Sequence, residues 1–377
     1  MSKIIYLAFY DVDGSDKRQY FESTKSKVDY ICGVLKTDYE GIDIISFSYT
    51  NKVKSRAVEK NTYFGKLYLM KSYGFNNIIF KMFNYIYICI QCLKKLYTIK
   101  KGNDIIIFYH SLYTMWLIPV LKLFLKNKMI FEVEEIYGDV KKCRFLSYLE
   151  IKLLKTADGF IVASHGIETL FDSKKPTIVI EGKYELFCSE VKKLCSPIEC
   201  VYAGTFDIDK GGVYKAISIC KFLPSHYTMN IMGFGTKKEI KLVRELIDKS
   251  NILSECKIIY HGLKTGDELI YYLSKFDIGL SCQNGLGEYN LTSFPSKVLV
   301  YLYNGLGVLS VDIEVVRKSR IGQLVSYYNS NDSDIDIAKK LINMTINHDI
   351  LDLRRVKSDM DKDLKNFLKE VSDGYRV

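Results

Sequence analysis

The chain has 377 residues, 48% of them apolar, too many for one comfortable core and too hydrophobic for disorder, so two domains of about 150–200 residues are expected. The net charge of +10 is unevenly placed. Residues 44–131 hold 14 Lys/Arg against two acids, Glu59 and Asp104, a local balance of +12 that leaves −2 for the remainder. No apolar run reaches the length of about 18 residues that a spanning helix needs, because Lys81, Lys122 and Lys126 interrupt the best candidates. Ten cysteines lack paired metal spacing and "MSKIIYLAFY" begins as a strand, so a reducing, cytoplasmic setting is expected. Cys89 and Cys92 sit inside a helical pattern with no second pair or neighbouring histidine; packing is the expected role, with zinc or redox chemistry the alternative.

Taken in order, apolar runs alternate with helical segments. "KIIYLAFY" is followed by the polar loop "DVDGSDKRQ", a helix over 18–37, the strand "IDIISFS" and helices within 53–100. "DIIIFYH", a helix near 112–126, "MIFEVEE", a helix near 143–156 and "GFIVAS" complete a first series. Periodicity lapses over 181–197, read as a linker. A second series runs from "IECVYAG" through a helix from 211, "YTMNIMGFG", a helix near 236–249, "CKIIYHG", a helix near 265–274 and "FDIGLS" to a helix over 295–304 and "GVLSV". The last segment, 332–372, is helical. The alternation predicts an α/β protein with two Rossmann-like domains, 1–185 and 198–350, plus a C-terminal helical segment, 351–377, that packs toward the first. Their parallel sheets are expected to face a central cleft.

The basic span interleaves Lys with Tyr, Phe and Ile, as in "IIFKMFNYIYICIQCLKKLYTIKK". Two readings fit it: a surface that docks on anionic lipid headgroups, and a core helix with a solvated lysine face. No recognition motif supports nucleic-acid binding.

Four places in the second half set glycine or polar residues after a strand. "YAGTFDIDKGG" brings Lys210 and Gly211 to a helix start, where free N–H groups and a lysine meet an anion. "IMGFGTKKE" repeats the strand, glycine and helix order, and "IIYHGLK" supplies Gly262 and Leu263. The loop "CQNGLGEYNLTSFPSK" runs into a helix whose apolar face, Pro295, Val298, Leu299 and Leu302, is ordinary core. Its first turn is crowded with Asn290, Thr292, Ser293, Ser296 and Lys297, more polarity than core packing requires.

The order of these segments over 200–312 resembles the glycosyltransferases of the GT-B fold, family 4, of the kind that build bacterial surface polysaccharides, and the resemblance covers nearly the whole chain. It implies transfer of a sugar from a nucleotide-sugar donor to a glycan or lipid-linked glycan acceptor, with retention of configuration and no catalytic metal or other cofactor. It assigns Lys210 to the donor diphosphate, with Thr205 where an arginine is often found, and Gly211, Gly233 and Gly235 to turns beside the nucleotide. Gly262 and Leu263 match the segment that reads the base, and Gly14, in the loop after the first strand, approaches the phosphates. Asn290, Phe294, Ser296 and Lys297 line the donor end of the helix over 295–304. His110 matches a strand-terminal histidine that contacts the transferred sugar or the acceptor. Glu134 and Glu135, after the next strand, orient acceptor hydroxyls or act as a base, or else serve as capping or ion-pairing groups. His165 and His261 read as bystanders.

One departure is clear. The family carries two glutamates eight positions apart, the second of which holds the nucleotide ribose; here the aligned residues are Thr292 and Val300. Valine accepts no hydrogen bond. The alternatives are therefore a catalytically silent GT-B subunit that binds a glycan or partner, and a nucleotide-sugar epimerase of the same fold. The expected location is the cytoplasm, at the inner face of the cell membrane.

Overall fold

Runs such as Ile4–Ala8 and Ile105–Tyr109 carry no polar alternation, and each is buried along its whole length. Parallel strands covered by helices on both faces have this character. The computed structural model describes residues 2–12, 18–20, 22–51, 54–75 and 77–374, with backbone alone at Glu288. It divides into two units, residues 1–183 with 360–377, and residues 184–359.

The first unit is built on an eight-stranded sheet. Its strands are β1 (Ile4–Ala8), β2 (Ile42–Ser46), β3 (Val58–Asn61), β4 (Lys66–Leu69), β5 (Ile105–Tyr109), β6 (Met129–Val133), β7 (Gly159–Val162) and β8 (Thr177–Val179). They lie in the order β8-β7-β6-β5-β1-β2-β4-β3. Ile4 stands opposite both Ile42 and Ile105, and every pairing is parallel except the β3–β4 hairpin. Winding proceeds from β1 toward β2 on one side and from β5 toward β8 on the other, so the direction reverses between β1 and β5. The helices α1 (Glu22–Leu35), α2 (Ile78–Ile99), α3 (Leu117–Phe124) and α4 (Arg144–Leu154) belong to this unit.

The second unit has six strands: β9 (Ile198–Thr205), β10 (Tyr227–Phe234), β11 (Lys257–Gly262), β12 (Ile278–Ser281), β13 (Gly307–Val311) and β14 (Ser326–Tyr328). They are all parallel, in the order β11-β10-β9-β12-β13-β14. Here the reversal falls between β9 and β12, where Val201 pairs with Gly279. Its helices include α5 (Gly212–Ile219), α6 (Lys237–Leu253), α7 (Gly266–Leu273), α8 (Lys297–Tyr303) and α9 (Asp334–Ile342). In the final helix, α10 (Ile350–Asp373), residues from 360 onward belong to the first unit. A Cβ at Gly159 would lie 2.8 Å from Val371, and the Tyr30 hydroxyl donates to Asp361 at 2.7 Å.

Three sequence expectations need correction. Residues 54–73 are strands rather than helix, because Thr62–Gly65 closes a tight turn: the Thr62 amide donates to the Gly65 carbonyl at 2.7 Å. Gly65 is required there, since a Cβ would sit 2.4 Å from the Ile42 carbonyl oxygen. The first helix starts at Glu22, not 18, because Arg18–Gln19 pairs with Tyr49–Thr50 as a short antiparallel ribbon. The short edge strands β8 and β14 were not expected; three residues are too few to show a period.

Candidate functional site

In open α/β sheets, ligands gather beyond the carboxyl ends of the strands where the winding reverses. In the second unit that point is flanked by the loop after β9, which carries Lys210, and by the loop after β12, which leads to Lys297. The two loops are joined: the Asn284 amide donates to the Lys210 carbonyl at 2.8 Å. Asp207 Oδ1 accepts from the amides of Asp209 (2.8 Å) and Lys210 (3.1 Å), turning the first loop toward the helix start.

Lys297 is aimed by its own helix. Four residues on, Tyr301 lies on the same face. Its hydroxyl accepts from the Ala203 amide at 2.7 Å, and its ring fills the space a Cβ at Gly279 would claim at 2.2 Å. Thus docked, α8 directs the Lys297 ammonium over the Tyr202 ring, 4.2 Å from its centre, and to 3.0 Å from where a Cβ on Gly204 would be. Gly204 is therefore the space the ammonium occupies. Burial lowers the Lys297 pKa to about 8; the nearby Cys282 raises it somewhat and the Lys210 charge lowers it further. Lys210 is exposed, with its ammonium 5.6 Å from the Tyr289 ring centre. Among the described residues, no carboxylate lies within ion-pair distance of either lysine. An uncompensated, partly desolvated cation is costly, and two that face one locus mark a place for an anion.

The nearby helix starts differ in one respect. Gly211, at φ +68, begins α5 with no side-chain cap, and Ser296 begins α8 likewise. At α6, by contrast, Thr236 and Glu239 form a complete capping box, with the Glu239 carboxylate accepting from the Thr236 amide at 2.7 Å. That start already holds an anion of its own. Gly233 and Gly235 beside it answer to packing: a Cβ at Gly233 would lie 1.8 Å from the Gly204 carbonyl oxygen, and one at Gly235 would lie 3.0 Å from Phe206.

The remaining expected residues are distributed as follows. Thr205 ends β9, half-buried, and its carbonyl accepts from the Tyr202 hydroxyl at 3.0 Å. Gly262, at φ +75, has open space around it, and Leu263 is exposed. Ser296 is exposed, whereas Phe294 is buried. Asn290 does not offer its amide to a ligand: Nδ2 donates to the Asn284 carbonyl (2.7 Å) and Oδ1 accepts from Gln283 (2.6 Å), so it braces the loop. Val300 is half-buried, and α8 carries no acid in its first turn. Gly14 lies outside the described residues.

In the first unit the reversal point is flanked by Phe9–Val12 after β1 and by His110 after β5. The His110 ring is fully buried, not open as a contact residue would be. The chain at 136–140 covers it, because Glu150 accepts from the amides of Tyr137 and Gly138, each at 2.9 Å, and Tyr137 packs on the imidazole. Nε2 lies 3.2 Å from Glu150 Oε1, and burial lowers the His110 pKa to about 3. Glu134 is ion-paired to the buried Lys27, which also lies 3.8 Å from Glu132 Oε1. Glu132, fully buried and accepting from the Tyr6 hydroxyl, is raised to about 7 chiefly by burial. Glu135 is half-buried. Among the described residues no group of three His, Cys, Asp or Glu side chains is placed to hold a metal ion.

Sequence reasoning singled out Lys210 and Lys297 but missed Tyr202, Tyr301 and Gly279, which aim the second of them. The i, i+4 spacing of Lys297 and Tyr301 was the available signal.

No family model and no curated protein matches the chain. Among solved structures, it resembles an alpha,alpha-trehalose-phosphate synthase (UDP-forming) from Burkholderia vietnamiensis, with a TM-score of 0.64, 9% identity, and 99% of this chain and 96% of that one covered. It also resembles a sucrose-phosphate synthase from Thermosynechococcus elongatus (TM-score 0.63, 13% identity, 99% and 96% covered). A third is the E. coli trehalose-6-phosphate structure bound with UDP-2-fluoro glucose (TM-score 0.63, 11% identity, 99% and 100% covered). At such identities the likeness establishes the fold. The chain has the GT-B fold, with two Rossmann-like units built on parallel sheets.

Proposed function

We propose that this chain is a glycosyltransferase that moves a sugar from a nucleotide-sugar donor to a glycan acceptor. The observation that carries the reading is the pair Lys210 and Lys297, which share the second unit's reversal point without a carboxylate partner among the described residues. Departure of a nucleoside diphosphate puts negative charge on the leaving phosphate oxygen, and fixed ammonium groups and open helix starts stabilise that charge. In this reading they supply what a bound divalent ion supplies in other transferases. The bond from the anomeric carbon to the phosphate oxygen breaks and a bond to the acceptor oxygen forms. With retention of configuration, the acceptor enters on the face the diphosphate leaves, so the departing oxygen takes the acceptor proton. Glu134, held by Lys27, is poorly placed to act as the base.

The finer reading is a family 4-like enzyme of bacterial surface polysaccharide assembly, such as capsule, acting at the cytoplasmic face of the membrane on a lipid-linked glycan. The basic span 44–131 supports it, and so do Gly262 and Leu263, open for a base. UDP-sugars are the first donors to test, given the UDP compound in the E. coli structure. In thermal shift and turnover with a panel of nucleotide sugars, at least one diphosphate should stabilise the protein and one donor should be consumed. Lys210→Ala should abolish transfer in a protein that still folds. Failure of every nucleotide to bind would remove the reading. A second reading, a silent subunit that binds a glycan or partner, is favoured by Thr292 and Val300 in place of carboxylates; it requires donor binding or none, with no turnover.

A further inference from the structure

In a helix lying on a protein surface, the outward face is normally polar. The beginning of α2 breaks that rule. From 78 to 83 its residues are Ile, Ile, Phe, Lys, Met and Phe, and all are exposed: Ile78 74%, Ile79 58%, Phe80 54%, Met82 62% and Phe83 63%. Each of these apolar side chains is thus more than half exposed, Phe80 resting in part on the Phe75 ring at 5.5 Å between centres. Only from Asn84 onward does the helix settle on the unit, burying Asn84, Ile88, Cys89, Cys92 and Leu96.

The position of the exposed turns is fixed by Tyr85. Its ring packs on Phe9, Tyr49 and Tyr113, at 6.2, 6.4 and 5.6 Å between centres. Those three follow the carboxyl ends of β1, β2 and β5. The apolar turns therefore stand at the carboxyl edge of the sheet, the edge where His110 and Glu134 lie, on the side of the exposed Tyr113 ring.

We propose that residues 78–83 insert into the headgroup region of an anionic lipid bilayer, setting the carboxyl edge of the first unit against the membrane. The claim deepens the proposed function, on which it rests for the lipid-linked acceptor. Two observations favour lipid over other occupants. Lys81 stands among the exposed residues and 78–101 contain no acid, which complements anionic headgroups and opposes face-to-face pairing of two copies; Lys94, Lys95, Lys100 and Lys101 lie at or beyond the far end of the helix, where Lys95 pairs with Glu59. A projection on which every apolar side chain is more than half exposed suits a fluid phase better than a shaped groove. Among the described residues no helix is long and apolar enough to cross a membrane, so the contact proposed is an interfacial one.

The sequence reading placed the contact in the lysines and aromatics of the span 44–131; the proposal narrows it to apolar insertion at 78–83, with lysine assisting. The two differ in salt dependence. The test is flotation of the full chain with phosphatidylcholine vesicles, with and without phosphatidylglycerol, at about 0.1 and about 0.5 M salt. The chain should float with the anionic vesicles and stay bound in large part at high salt. The double variant Phe80→Ser/Phe83→Ser should lose about tenfold or more in vesicle affinity. Lys81→Gln should lose about fivefold, at low salt only. Unchanged circular dichroism, and unchanged diphosphate binding measured without vesicles, would show that the double variant is folded and the donor site intact. No flotation of the wild type, or equal flotation of the double variant, overturns the proposal. So does a wild-type dimer in sedimentation velocity that the two serines dissolve while vesicles remain unbound. Because diphosphate binding is read separately, failure of the donor reading and failure of the membrane reading give different results.

Discussion

The two reversal points hold cations in opposite ways. In the first unit Lys27 is buried and flanked by Glu132 and Glu134, while the Tyr6 hydroxyl bonds to Glu132. In the second, Lys297 and Lys210 share one locus with no acid paired to them among the described residues. The same topology thus yields one site that has settled its own charges and another that needs an anion to do so. In the proposed reading the first receives neutral hydroxyl groups, and the second a diphosphate.

The sharpest way to break this contrast is to remove Lys27. Lys27→Met leaves two carboxylates facing each other without their cation, and unfolding followed by denaturant should show the first unit weakened by about 3–5 kcal/mol. The matching change in the second unit should have the opposite sign. Lys297→Met removes a cation with no acidic partner among the described residues, so the unliganded protein should melt at the same temperature or higher, while titration calorimetry finds diphosphate binding weaker by about 2–3 kcal/mol, or roughly 30–150-fold. A parallel loss of stability and binding would show that Lys297 serves the fold.

The dependence on pH separates the units again. Glu132 is raised from 4.5 to about 7, so the folded state holds the extra proton, and stability should fall as pH rises through that window. Lys297 is lowered from 10.5 to about 8, so the unfolded state holds the extra proton, and stability should rise from pH 8 toward 10.5. Diphosphate affinity should meanwhile decline above pH 8 as the ammonium is lost. The smallest effect is expected at the brace between the loops: Asn290→Ala should cost about 1 kcal/mol in thermal unfolding, with little change in donor turnover.

Much of this was legible in the chain. Unbroken apolar runs such as "DIIIFYH" could only be buried strands, and glycines beside Lys210 and ahead of Lys297 marked where backbone and cation meet. Contacts between distant segments were not legible. Tyr202 and Tyr301 were not singled out, because nothing local shows that one ring supports an ammonium and the other accepts from a strand amide. His110 read as open because its cover, Tyr137, arrives from 27 positions downstream through a tether to Glu150. Asn290 read as a ligand group because its partners, Gln283 and Asn284, are brought close only by the fold of the loop.

The capping box at Thr236 has a consequence for discrimination. Neighbouring parallel strands end side by side, and a polyphosphate displaced by one strand would meet another helix start of similar shape. At α6 it would meet Glu239, whose carboxylate already bonds the Thr236 amide and hydroxyl. The Glu239 carboxylate thus closes one helix start by charge, while the start at Gly211 carries no side-chain cap.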